Sequence, residues 1–121
     1  MQDSNEIKER RKHPRFYLDL PLEYRFPDTL HSLGALLVNA SEKGLLVYSI
    51  KEMPVGTKLN IVILFPNGSG LANLEVLAEI IWKDIQWQEN WEGYRLGLKF
   101  VHIQKENHQK LKQLLAEGHE G

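Results

Sequence analysis

The sequence predicts a mostly β fold, a six-stranded antiparallel barrel with a C-terminal α-helix. Short stretches of alternating apolar and polar residues follow one another along most of the chain, and turn-forming residues separate them without intervening helical segments. Only the last stretch changes to a helical spacing of leucines. The 121 residues suit a single domain with a modest core.

The first predicted strand covers residues 16–26. Its period of two is typical of a strand with one buried face. One face would carry Leu18, Leu20, Leu22 and Tyr24, and the other Asp19, Pro21, Glu23 and Arg25. Because proline has no backbone N–H to donate, Pro21 favours an edge position for this strand.

Five further strands follow from the same alternation, bounded by turn signals. They are predicted over residues 31–41, 44–50, 57–65, 71–87 and 93–103. The segment "NGSG" from Asn67 loosely resembles a phosphate-binding glycine loop. Because it lies between two strands, we interpret it as a hairpin turn.

The end of the chain predicts a helix over residues 104–117. Leu111, Leu114 and Leu115 form a narrow apolar stripe, and Gly118 is suited to ending the helix. We expect this helix to cover an open side or the mouth of the barrel. The predicted organisation is a flexible N-terminal arm (1–9) and one domain (10–118), with an arginine motif (10–15), a barrel (17–103) and the C-terminal helix (104–117).

The composition limits the possible functions. With 15 basic and 16 acidic residues, the chain as a whole is not suited to binding a polyanion, so any phosphate site must use local positive charge. The absence of cysteine excludes disulfides and thiolate metal sites and fits a reducing compartment. No apolar run approaches the roughly 20 residues of a membrane helix. We therefore expect a cytoplasmic protein without membrane insertion.

No catalytic motif is present, and the five histidines are dispersed, so we expect neither an enzyme nor a metal site. The three tryptophans, Trp82, Trp87 and Trp91, leave two interpretations open. They could form a stacking platform for single-stranded RNA. Packing across adjacent strands is the interpretation that we favour.

Two short motifs combine into a candidate binding site. Arg11 and Arg15 stand four residues apart, with Arg10 beside them, and Asn39-x-Ser41-x-x-Gly44 follows about two dozen residues later. Each motif has an ordinary explanation, a solvated charged arm for the first and a turn with a positive φ at its glycine for the second. However, one strand leading out and one leading back return the chain to the same end of a barrel. The two motifs should therefore meet.

Together these motifs resemble the signature of PilZ domains, bacterial receptors for cyclic di-GMP, which reads RxxxR followed by [D/N]xSxxG. The segment Tyr94–Phe100 also looks like that family, and the resemblance covers nearly everything from Arg10 to Leu115. It implies a six-stranded barrel with a closing helix, cyclic di-GMP as the ligand and no cofactor.

The resemblance also implies roles for six residues: Arg10, Arg11, Arg15, Asn39, Ser41 and Gly44. The arginines would hold a phosphate and a guanine edge, since a guanidinium donates paired hydrogen bonds to both and stacks on purines. The amide and hydroxyl would bind the other guanine, and the glycine would permit a close approach to the backbone. Asparagine replaces the aspartate of many members, which is expected to lower affinity.

The expected mechanism is a receptor or adaptor whose arm becomes ordered over the barrel end when the ligand neutralises its arginines. The signal would then pass to an unidentified protein partner, with no nucleic acid polymer involved. Two alternatives remain: a PilZ-fold interaction module without ligand binding, and a small barrel that binds single-stranded RNA.

Overall fold

The computed structural model describes residues 16–88, 91–117 and 119–120. The predicted arm (1–9), the arginine motif (10–15) and Gly118 lie outside these residues. The described elements, in chain order, are β1 Phe16–Arg25, β2 Leu33–Ala40, β3 Gly44–Ser49, β4 Lys58–Asn67, β5 Gly70–Gln88, β6 Trp91–His102, α1 Lys105–Glu117 and β7 His119–Glu120.

The strands form one antiparallel sheet that closes on itself. Its order is β2-β3-β6-β5-β4-β1, and β1 also pairs with β2, which completes a ring of six strands. The short β7 adds to the start of β1. The predicted six-stranded fold with a C-terminal helix is confirmed, whereas β7 was not predicted.

The interior of the ring holds a single cluster of aliphatic side chains to which every strand from β1 to β6 contributes. Fully buried members include Leu37, Leu45, Ile63, Leu74 and Ile80. The predicted alternation in β1 is confirmed where its side chains are described, since Leu22 and Tyr24 are buried and their neighbours in the strand are exposed. Such burial of aliphatic groups is the main favourable contribution to folding.

The predicted edge position of β1 is wrong, because β1 pairs with β2 on one side and with β4 on the other. Pairing with β4 covers only Leu22–Arg25. Pro21 therefore lies just outside the stretch that is paired on both sides, so a single partner strand suffices at the residue that lacks an N–H.

The predicted hairpin between β4 and β5 is confirmed. Asn67 pairs with Gly70, which leaves a two-residue turn, and Gly68 adopts a φ of 63°. A positive φ at the first turn position is what such tight hairpins require, and glycine adopts it without steric cost.

The helix α1 packs its leucine stripe against the barrel interior, as the spacing of its leucines predicted. Leu111, Leu114 and Leu115 are buried and belong to the same cluster as the barrel interior. Within the described residues no helix is long and apolar enough to cross a membrane. No group of metal-ligating side chains occurs there either.

Candidate functional site

The beginning of β1 and the end of β2 lie side by side. Phe16 pairs with Ala40, and Tyr17 pairs with Asn39. The chain therefore enters the barrel, directly after Arg15, beside the first residue of the Asn-x-Ser-x-x-Gly motif. The side chains of Arg10, Arg11 and Arg15 lie outside the described residues.

A bulge in β2 decides which way Asn39 points. The register with β3 leaves one extra residue, Val38, between Leu37 and Asn39. Leu37 is buried in the barrel, and regular alternation would direct Asn39, two residues later, into the same interior. Because of the extra residue, Ala40 takes the interior position and Asn39 shares the outer face with its partner Leu46.

A second bulge lies opposite, in β1. The register with β2 has one extra residue between Tyr17 and Leu20, and Asp19 adopts a φ of 50°. Aspartate is among the few residues other than glycine that tolerate this left-handed conformation. Both strands at this end of the barrel are thus locally irregular, which is common beside functional sites.

The connection between β2 and β3 is held by its own hydrogen bonds. The Ser41 hydroxyl accepts a bond from the Lys43 N–H at 3.1 Å, and the Ser41 N–H donates to the Gly44 carbonyl at 2.9 Å. Asn39 and Ser41 are only 4% and 3% exposed, and with Ser49 they make up the buried polar residues of the described chain. The motif therefore holds two buried polar side chains in a fixed backbone frame.

The positive φ that the turn interpretation gave to Gly44 is wrong. Its φ is not positive, since Gly56 and Gly68 are the described glycines with positive φ. A Cβ added to Gly44 would instead lie 2.0 Å from the carbonyl oxygen of Leu98 in β6. The close approach at this residue is that of a neighbouring strand.

Positive charge near the motif has a source that the sequence interpretation did not single out. Lys43 is exposed within the connection, and its carbonyl accepts a hydrogen bond from the Phe100 N–H at 3.0 Å. The neighbouring Lys99 is exposed and pairs with Gly44 across the strands. Its Nζ lies 4.0 Å from the Glu79 carboxylate, a loose contact at a solvated surface. Only the pairing of β3 with β6 brings this lysine to the motif.

Trp82 packs across neighbouring strands, the interpretation favoured from the sequence. A Cβ on Gly97 of β6 would lie 2.2 Å from the indole Nε1, so the ring rests directly on this glycine. The side chains of Trp87 and Trp91 lie outside the described residues, although the backbones of both are part of the β5–β6 pairing.

These features define a small, closed antiparallel barrel with a buried polar connection where its first strand begins. The PilZ domain family model matches residues 9–117. The chain therefore belongs to the PilZ domain family, as its motifs indicated. No curated protein sequence matches it.

Several solved structures share the fold at low sequence identity. The Bacillus subtilis inhibitor of motility (MotI/DgrA) is 20% identical with a TM-score of 0.70, over 88% of this chain and 50% of that one. The PilZ domain of YcgR from Escherichia coli, with c-di-GMP, is 16% identical with a TM-score of 0.69, over 88% and 89%. The K. pneumonia MrkH–c-di-GMP complex is 13% identical with a TM-score of 0.70, over 89% and 52%. The chain thus spans about half the length of MotI and MrkH.

Proposed function

We propose that this protein is a receptor for cyclic di-GMP, without catalytic activity, that acts in the bacterial cytoplasm. The observation that carries the proposal is the register at the barrel end, where Tyr17 pairs with Asn39. This register brings the chain that follows the arginine motif to the buried polar connection. Two of the solved relatives, the YcgR domain and MrkH, contain c-di-GMP, which supports the same ligand here.

In this proposal the guanidinium groups of Arg11 and Arg15 bind a phosphate and a guanine edge, and Arg10 stacks on a base. Asn39 and Ser41 bind the second guanine. The fixed backbone of the connection favours binding because little conformational entropy remains to be lost there. The Ser41 hydroxyl, which accepts a bond from the Lys43 N–H, retains its own proton as a donor for the ligand.

Gly44 supports the site indirectly. Because it lets β3 lie close to the Leu98 carbonyl, it holds the connection against β6 at a fixed distance. The exposed Lys43 and Lys99 add positive charge beside the connection, which favours the approach of a doubly charged ligand.

Ligand binding would draw the N-terminal segment over the barrel end, and a protein partner would recognise the surface formed there. Ordering of that segment costs free energy, so the ligand must favour the closed state strongly. Limited proteolysis tests this step: cleavage before Phe16 should slow at saturating ligand. Equal rates with and without ligand would contradict it.

Calorimetric titration with cyclic di-GMP is the decisive experiment. The wild-type protein should bind saturably, and an Arg11→Ala/Arg15→Ala variant should not. Arg25→Ala, which removes an exposed positive charge from the opposite end of β1, is the matched control and should bind normally. Cyclic di-AMP should not bind, because adenine lacks the guanine O6 acceptor.

Absence of binding at a ligand concentration of about 1 mM, where even weak complexes form, would contradict the receptor function. The protein would then be a PilZ-fold interaction module. Equal loss in the Arg25→Ala variant would show that net charge, rather than the motif, controls binding.

A further inference from the structure

The strand β5 extends beyond the stretch that it pairs with either neighbouring strand. It has 19 residues and pairs with β4 over Gly70–Glu79 and with β6 over Leu77–Gln88. Each end of β5 is therefore paired on one side only. Ile80 still exchanges backbone hydrogen bonds with the Gly56–Thr57 turn, at 2.7 and 2.9 Å. The second single-sided segment thus comprises residues 81–88, which we call the distal edge.

The first single-sided segment is covered by α1. The Asn107 Oδ1 accepts a hydrogen bond from the Glu75 N–H at 3.0 Å, and the Lys110 Nζ donates to the Asn73 carbonyl at 2.9 Å. Side chains of the helix therefore replace the missing strand, one of the ways in which proteins protect an exposed sheet edge.

The distal edge has no such cover among the residues that the structure describes, where no strand pairs with it on the side away from β6. From Trp82 onwards, beyond a bulge at Ile81, every second residue directs its N–H and C=O towards this edge. Three large apolar side chains of the distal edge are also about half exposed: Ile81 at 47%, Trp82 at 41% and Ile85 at 48%. An edge of this kind is a template for pairing with another strand.

The charged side chains of the distal edge do not protect it against pairing with another strand. Lys83 forms an ion pair with Glu52 at 2.8 Å, and Asp84 forms one with Arg95 at 3.0 Å. Each charge therefore has an opposite charge beside it, and the distal edge carries no net repulsion against a second edge. It also contains no proline.

We propose that the distal edge pairs antiparallel with the same edge of a second copy of this chain. In a two-fold antiparallel pair one residue must lie opposite itself, which limits the possible registers. Centring the pair on Lys83 or Asp84 would place like charges opposite each other, which is destabilising. Centring it on Ile85 places isoleucine against isoleucine.

The register centred on Ile85 also places Asp84 opposite Gln86 of the second copy, twice by symmetry. The Gln86 Nε2 already lies 3.3 Å from the Asp84 Oδ2 within one chain, so this amide is able to donate to this carboxylate. The self-complementary side chains favour a second copy over a foreign strand. Because the distal edge does not involve the Asn-x-Ser-x-x-Gly motif, the proposal is independent of ligand binding.

The test is sedimentation velocity of the full chain over a range of concentrations. The wild type should form a dimer. Ile85→Lys and Ile85→Asp should each be monomeric, because each places like charges face to face. Leu71→Lys is the matched control, an exposed aliphatic residue of the same strand outside the distal edge, and should dimerise like the wild type.

Mixing the two Ile85 variants makes the test specific for the register. Opposite charges then face each other, and a mixed dimer should form at a concentration at least ~10-fold below that at which either variant alone associates. A wild type that stays monomeric would overturn the proposal. So would variants that dimerise alone, or a mixture that remains monomeric although circular dichroism shows both variants folded. Capture of a foreign strand by a monomeric wild type would assign the edge to another partner.

Discussion

Substitution of Gly44 by alanine gives the sharpest test of how the barrel end is built. The added Cβ would lie 2.0 Å from the Leu98 carbonyl oxygen, a backbone atom that no rotamer change can move. Relief requires β3 and β6 to separate by roughly 1 Å, since carbon and oxygen do not approach within about 3 Å. The hydrogen bond from the Phe100 N–H to the Lys43 carbonyl, now 3.0 Å, would then be lost.

The expected cost follows from these two effects. Overpacking of this kind costs about 1–3 kcal/mol, and one lost backbone hydrogen bond costs about 1 kcal/mol. We therefore expect the free energy of unfolding to fall by about 2–4 kcal/mol. In a domain of this size the melting temperature should fall by on the order of 10 °C.

The assay is chemical and thermal denaturation followed by circular dichroism, with Gly34→Ala as the matched control. Gly34 also lies in a strand, but a Cβ there meets no atom within 4 Å. Its substitution should change the free energy of unfolding by no more than about 0.5 kcal/mol. Equal stability of the two variants would refute the argument that the close contact with β6 requires a glycine at this position.

Three further predictions concern the core, the β5–β6 contact and the helix. Leu37→Ala, at a fully buried position, should lower the free energy of unfolding by about 2–5 kcal/mol in denaturant titration, and a loss below about 1 kcal/mol would contradict its place in the core. Gly97→Ala should displace the indole of Trp82 and shift its fluorescence emission to the red, whereas an unchanged spectrum would mean that the ring does not rest there. Asn107→Ala should leave the Glu75 N–H without its acceptor, costing about 1 kcal/mol, and an unaltered exchange rate at that amide would argue against the helix as edge cover.

The strands were predictable because apolar and polar residues alternate along a half-buried strand, which gives the sequence a period of two. The third strand, predicted over residues 44–50, is observed as Gly44–Ser49, and the helix predicted over 104–117 is observed as Lys105–Glu117. The residue types of the segment also located the β4–β5 turn, because Gly68 adopts a positive φ there. The third strand, the helix and the β4–β5 turn are each determined by the residue types within the segment itself.

The rest depends on contacts between distant parts of the chain. The neighbours of β1 follow from the closure of the ring, which no local pattern reveals, so the edge position of this strand was predicted wrongly. Likewise the role of Gly44 depends on Leu98, more than fifty residues away. The orientation of Asn39 depends on a bulge that is visible only in the register with β3.

The bulge at Val38 has a consequence for how this site can change over time. The outward direction of the Asn39 amide depends on the number of residues that precede it in β2. It depends little on which residue occupies the extra position. Many substitutions of Val38 would therefore leave the amide in place. Loss of that single codon would restore regular alternation and turn the amide into the barrel. A deletion at this position should therefore disturb the site more than a substitution of Val38 does.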